Sequence, residues 1–345
     1  MAGVGIGCLG AVILGPIVLI VAVLAWMGDL ASELPSSTPY EPPATTPAPE
    51  EPSTPEETAP EETATQEPSP EETEEHQEEP TGRQHPELDY QNDDYSRPSP
   101  GGPEAPYPST MQQARDWRVG AAIYSQSMLN PVRCGLDPID VDNLSDDEIL
   151  AQMDKFMTCL MRAWAPVVES AGQTLTTPHL YLITGPVDTP CGAVEQSYAG
   201  FYCTQNESIY MSIDHHQSVQ NRDGWLTYTI ELTLSHEFAH HIQGRTGIMW
   251  ASWEVQLDTS GQAANLESRR RELQAQCFSG LAFQSLSQGL GLTENDEETI
   301  YEYEHRVADD IHGSSSHQAE WFWQGYSGQG VARCNTWKAS DSEVS

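Results

Sequence analysis

The sequence predicts an α+β fold, a mainly helical domain with a small sheet, preceded by a single transmembrane helix and a disordered stalk. Three observations predict it. Residues 1–28 carry no charge. Residues 29–109 are dominated by Pro, Glu, Thr and Ser. From residue 110 to residue 345, aliphatic and aromatic side chains return, alternating in short runs first and spaced as in helices later.

The run Gly3 to Met27 is almost wholly apolar. At about 1.5 Å per residue it reaches roughly 35 Å, enough to cross a bilayer. It has no basic n-region, and Ala25-Trp26-Met27 is a poor cleavage site, so a retained anchor is expected over residues 1–28 rather than a cleaved signal. Neither flank carries the Lys or Arg that would orient it. The cysteines do so instead. Beyond Cys8 there are six, Cys134, Cys159, Cys191, Cys203, Cys277 and Cys334. An even number behind an export signal fits a disulfide framework in an oxidising compartment. The expectation is a single-pass protein of the cell membrane whose C-terminal domain is extracytoplasmic.

Of the 25 prolines, 18 fall between residues 34 and 108. With almost no aliphatic residues, the segment has nothing to offset the entropy of ordering. Residues 29–109 are therefore expected to form a spacer, roughly 50 Å long as a coil and at most about 230 Å as polyproline II. The whole chain has 52 acidic and 15 basic residues, a net charge of −37. That excludes nucleic acid as a default partner and disfavours docking on anionic headgroups. The sequence sets no oligomeric state.

Within 110–345, Met111–Asn130 reads as helical. Ser145-Asp146-Asp147-Glu148 has the form of an N-cap and acidic first turn, opening a helix that should end before Pro166. The alternating run His179–Thr184, between Pro178 and Gly185-Pro186, reads as a strand, as does Ser208–Ile213. Helices are predicted over 224–244, 266–288, 294–305 and 318–326. Trp321, Phe322, Trp323 and Tyr326 have helical spacing and read as core. The run Arg269-Arg270-Arg271 reads as a solvated helix face. His215 and His216 read as a polar loop at the end of a strand.

The chemistry centres on Ser235-His236-Glu237-Phe238-Ala239-His240. Residues four apart share one helix face, so His236 and His240 can turn both imidazoles to one metal ion. Glu237, one position round, can reach a water on that metal and take its proton. His241 is rotated about 100° from its neighbour and suits packing rather than ligation. A catalytic zinc needs a third protein ligand. Two carboxylates on the next long helix compete for that role, Glu272, 32 residues after His240, and Glu267, five residues earlier. Spacing does not decide between them.

Four blocks in order resemble the bacterial family of putative neutral zinc metallopeptidases, a zincin-type group. They are Cys191-Gly192-Ala193 with Phe201-Tyr202-Cys203 and Ile209-Tyr210-Met211; His236-Glu237-x-x-His240-His241-x-Gln243; Glu272 through Gly280; and His312-Gly313-Ser314 with Trp321-Phe322 and Cys334-Asn335-Thr336. The resemblance implies a zincin-like domain with Zn2+ held by His236, His240 and Glu272. It also implies that His312 stabilises the oxyanion. It implies disulfides Cys191–Cys203 and Cys277–Cys334, leaving Cys134 for Cys159. The expected activity is hydrolysis of protein or peptide substrates by metal-activated water, with Glu237 as general base. One departure stands out: Gln276 lies where such families commonly carry Asp to orient a ligand histidine. It motivates the rival expectation of a catalytically silent cell-envelope binding module; a hydrolase of peptidoglycan peptides is a third.

Overall fold

The computed structural model describes residue 83 and residues 85–194, 198–306 and 311–345. The expected anchor over 1–28 and the stalk up to residue 82 lie outside the described residues. Among the described residues, no helix is long and apolar enough to cross a membrane. The fold class there is α+β, with eight α-helices and a small mixed sheet.

The folded unit starts well before residue 110. Residues 85–109, assigned by composition to the stalk, lie along the domain as a strap. Gln91 bridges to Val132 and Pro100 to Thr177. Arg97 pairs with Asp154 at 2.7 Å, and Arg245 donates to the Pro103 carbonyl at 2.9 Å. A Pro-rich chain cannot build its own sheet, but here it satisfies its polar groups on a neighbour.

Helix α1 (Met111–Gly120) begins at Thr110, whose hydroxyl accepts from the Gln113 amide. It ends ten residues short of the expected Asn130, giving way to a 3-10 turn over Ala122–Ser125. Helix α2 (Asp146–Ser170) opens where predicted, with the Glu148 carboxylate accepting from the Ser145 amide at 2.9 Å. It runs on through Pro166 instead of stopping there. Proline at 166 leaves the carbonyl of Arg162 without its helical donor. The strap supplies one: Asn92 Nδ2 donates to that carbonyl at 2.8 Å.

Strands β1 (His179–Ile183), β4 (Gly200–Cys203) and β5 (Ser208–Ser212) form the main sheet in the order β1-β5-β4. β1 runs parallel to β5, with Leu180 opposite Ile209, and β4 antiparallel, with Cys203 opposite Ser208. β2 (Val187–Thr189) and β3 (Gly192–Val194) make a separate hairpin. Helix α3 (Ile213–Arg222) replaces the expected loop. The Ser212 hydroxyl caps it, His215 lies in its first turn, and His216 is fully buried.

Helix α4 (Thr229–Arg245) is the centre of the fold, touching α2, α5 (Ile248–Leu257), α6 (Gln262–Leu290), β4 and β5. Sixteen of its 17 residues are buried, and the exception is His236. Helix α7 (Glu294–Glu304) starts at a capping box between Thr293 and Asp296. Helix α8 (Ser315–Tyr326) packs along α6, backbone against backbone, at Gly280 and Gly325. Phe322 and Trp321 are buried there, as core. The disulfides are Cys134–Cys159, Cys191–Cys203 and Cys277–Cys334.

The Arg269–Arg271 run departs from its expected solvated face. Arg270 and Arg271 are buried. Arg270 donates to the Thr336 and Ala339 carbonyls, and Arg271 to Ser252, Gln256 and Ser268. The C-terminal segment and α5 cover that face and use the guanidinium donors.

Candidate metal centre

α4 packs against α6, and His236 and Glu237 of α4 with Gln276 of α6 line a cavity of about 430 Å³. α4 presents His236 and His240, one turn apart, with their rings 4.8 Å apart and nearly perpendicular. α6 presents Glu272. Its Oε2 lies 3.0 Å from His240 Nε2 and 3.6 Å from His236 Nε2. One ligand atom from each residue lies within 4.8 Å of the others, the one such group of His, Cys, Asp or Glu among the described residues. Glu267 is elsewhere, accepting from Trp337 Nε1 at 2.8 Å and pairing with Arg118. Of the two carboxylates, only Glu272 stands beside the histidines.

Each imidazole is held from behind by an amide. His236 Nδ1 lies 2.7 Å from Gln276 Oε1, and His240 Nδ1 lies 2.9 Å from Gln243 Oε1. An amide oxygen only accepts, so both Nδ1 atoms carry a proton and Nε2 is in each ring the nitrogen turned to Glu272, the one that can give up its proton to a metal. The amides are themselves oriented. Gln243 Nε2 donates to the Arg271 carbonyl at 2.7 Å and to Gln274 Oε1 at 3.1 Å, and Gln276 Nε2 donates to the Glu304 carboxyl.

Burial alone would push the Glu272 carboxyl up and the His240 imidazole down. The pair wins over burial. His240, His236 and Arg271 hold Glu272 well below its ordinary value, and Glu272 lifts His240 to about 9. The site therefore concentrates one negative charge against two imidazoles. Two imidazole nitrogens and an ionised carboxylate form a zinc donor set that leaves a fourth position open, as in catalytic sites, and the fixed Nδ1 protons leave the correct nitrogens free. The residues fit Zn2+.

Glu237 lines the same cavity, beside His236. His312 also lines it, with Nε2 3.8 Å from Glu272 Oε2. The Gln318 amide holds the His312 backbone by donating to its carbonyl. His241 turns away, to the Thr176 carbonyl at 2.7 Å and the Tyr202 hydroxyl at 3.0 Å. His215 reaches the cavity wall from α3. Sequence reasoning missed Glu304. It closes the acidic run 294–304, predicted only as a helix, in which Asp296, Ile300 and Glu304 form one buried stripe. Burial pushes the Glu304 carboxyl up to about 8.

The model of the family described as "Putative neutral zinc metallopeptidase" matches residues 138–337. An uncharacterized protein of Escherichia coli K12, YpfJ, is 26% identical over 57% of this chain and 74% of its own length. The uncharacterized protein Rv2575 of Mycobacterium tuberculosis is 25% identical over 58% of this chain and 77% of its own. No solved structure matches.

Proposed function

Because this chain belongs to the putative neutral zinc metallopeptidase family, we propose that it is a membrane-anchored, extracytoplasmic zinc metallopeptidase acting on protein or peptide substrates. His236, His240 and Glu272 would hold the ion. When bound there, Zn2+ supplies Lewis acidity and makes a water more acidic at neutral pH. Glu237 takes the proton from the attacking water and returns it to the departing amine, so proton gain and loss balance. His312 donates from its ring to the oxygen on which negative charge develops. Leu232 and Tyr303, with the backbone around Gly200, shape the wall against which the peptide would lie.

The observation that carries this reading is the meeting of three ligand atoms from two helices, with both imidazole Nδ1 atoms already engaged. Elemental analysis of the full-length protein should find one zinc per chain. Glu237→Gln should keep that zinc and lose about 10²–10⁴-fold in hydrolysis of an unstructured protein such as casein. His240→Ala should lose both. A wild-type protein without stoichiometric metal refutes the reading. Residues 1–28 as anchor and the chain up to residue 82 as spacer complete the proposal, with three disulfides supporting an oxidising compartment. Protease accessibility of the domain on intact cells tests it. The uncharged Gln276 supports the second reading, a silent binding module. Full zinc occupancy with no chelator-sensitive cleavage would favour that one. Release of fragments from muropeptides but not from casein would favour peptidoglycan peptides as substrate.

A further inference from the structure

We infer that Glu304 is a positioning residue. It acts through Gln276 to keep His236 in the tautomer that ligates metal, and so makes good the missing carboxylate at position 276. The inference rests on the zinc reading above.

The two ends of a glutamine amide differ only in what they can bond. With Oε1 toward His236, the ring keeps a proton on Nδ1 and turns Nε2 to Glu272 as the nitrogen that can ligate metal. Rotated by half a turn, the amide would face His236 with N–H. Nδ1 would then have to accept, the ring proton would move to Nε2, and the metal-facing lone pair would be lost. The shape of the side chain does not choose between these states. Its far end does. Gln276 Nε2 donates to a Glu304 carboxyl oxygen. The ionised carboxylate only accepts, so in the rotated state two oxygens would meet there instead, in a setting where Glu304 is 3% exposed. An unpaired buried acceptor is costly, so Glu304 biases the amide toward the productive state.

The other ligand histidine shows the same logic with different parts. Gln243 is braced by a backbone carbonyl, that of Arg271, and by Gln274, whose amide donates to the Tyr124 hydroxyl and the Cys334 carbonyl. That brace is built into α6. The brace on Gln276 is one side chain from α7, and a carboxyl in the α7 buried stripe is otherwise expensive to keep.

The test measures zinc affinity of the full-length protein by competition with a chromophoric chelator at pH 9, where the Glu304 carboxyl, raised to about 8, is ionised. Glu304→Ala should weaken zinc about 10–100-fold, the usual loss when a group orienting a metal ligand is removed. Glu304→Gln keeps the shape but can donate to the rotated amide as well as accept from the productive one, so it should weaken zinc in the same direction as Glu304→Ala. The double variant Gln276→Glu with Glu304→Ala should recover most of the loss, because a carboxylate presents an acceptor to His236 either way round. A packing role for Glu304 would not be rescued from position 276. Should Glu304→Ala not fold, Glu304→Met supplies similar volume without an acceptor, and melting of the zinc-free protein reports the fold. Wild-type affinity in the folded Ala or Met variant overturns the inference while leaving the zinc site standing, as does failure of the double variant to recover. A wild-type chain that binds no zinc removes both.

Discussion

Glu231 offers a measurement whose sign and size follow from its surroundings. It sits in the first turn of α4, 2% exposed. One carboxyl oxygen accepts from the Ile139 amide at 2.7 Å, and the other is buried without a hydrogen-bond partner among the described residues. Burial raises this carboxyl from 4.5 to about 7, against the pull of the Ile139 amide. The folded state therefore holds the proton more tightly than the unfolded state. Stability from this group is full below about pH 4.5, declines as pH rises, and is gone above about pH 7. The span corresponds to about 3 kcal/mol, an upper bound on the order of magnitude. Glu231→Gln keeps the acceptor for Ile139 and the shape, and removes the titration. Its new amide N–H is unpaired at a cost of about 1 kcal/mol that does not vary with pH.

The quantity to measure is the stability of Glu231→Gln minus that of wild type, by urea unfolding in chelator at pH 4.5 and at pH 8. Other titrating groups are common to both proteins and cancel. Whatever its sign at low pH, the difference should move in favour of the variant by up to about 3 kcal/mol by pH 8. A difference flat to within about 0.5 kcal/mol, the ordinary scatter for an inert site, would refute the assignment of a buried, charge-averse carboxyl.

Two further outcomes follow from packing. A Cβ at Gly280 would lie 2.9 Å from the Phe322 carbonyl carbon and 3.0 Å from the Tyr326 amide nitrogen, both backbone, so Gly280→Ala must push α8 away from α6. It should cost at least about 1–3 kcal/mol, read as a lowered melting temperature, whereas alanine at Gly120, with open space around it, should not. Asn92→Ala removes the donor that covers the Arg162 carbonyl below Pro166, and should cost about 1–2 kcal/mol in urea unfolding; an unchanged midpoint would show that the strap does not support α2.

The site was legible in the sequence where its logic is local. His236, Glu237 and His240 lie within one helical turn and a half, so spacing alone aims them. Glu272 was one of two carboxylates at similar distance along the chain, and only the packing of α6 on α4 separates it from Glu267, which turns to Arg118 and Trp337. The departures share a cause. The continuation of α2 through Pro166 depends on Asn92, 70 residues away. The burial of Arg270 and Arg271 depends on carbonyls near the C-terminus and on polar side chains of α5. The strap at 85–109 has spacer composition because neither a free chain nor one laid on a neighbour needs its own core. In each case the deciding partner is remote, and periodicity carries no record of it.

Helix α4 shows why that remote set matters to the chemistry. A helix buried nearly all round has no apolar stripe to fix its rotation about its own axis, since dispersion and hydrophobic burial are not directional. Its buried polar residues are directional. Arg245 pairs with Glu207 at 2.7 Å, His241 reaches the Thr176 carbonyl, Gln243 reaches the Arg271 carbonyl, and Glu231 takes the Ile139 amide, on different sides of the helix. Turning α4 by even one residue, about 100°, would strand every one of them in a low-dielectric interior. These bonds set the rotation at which His236 and Glu237 face the cavity and His240 lies beside Glu272. The polar groups that look out of place in so buried a helix are therefore the reason that its two histidines point where they do.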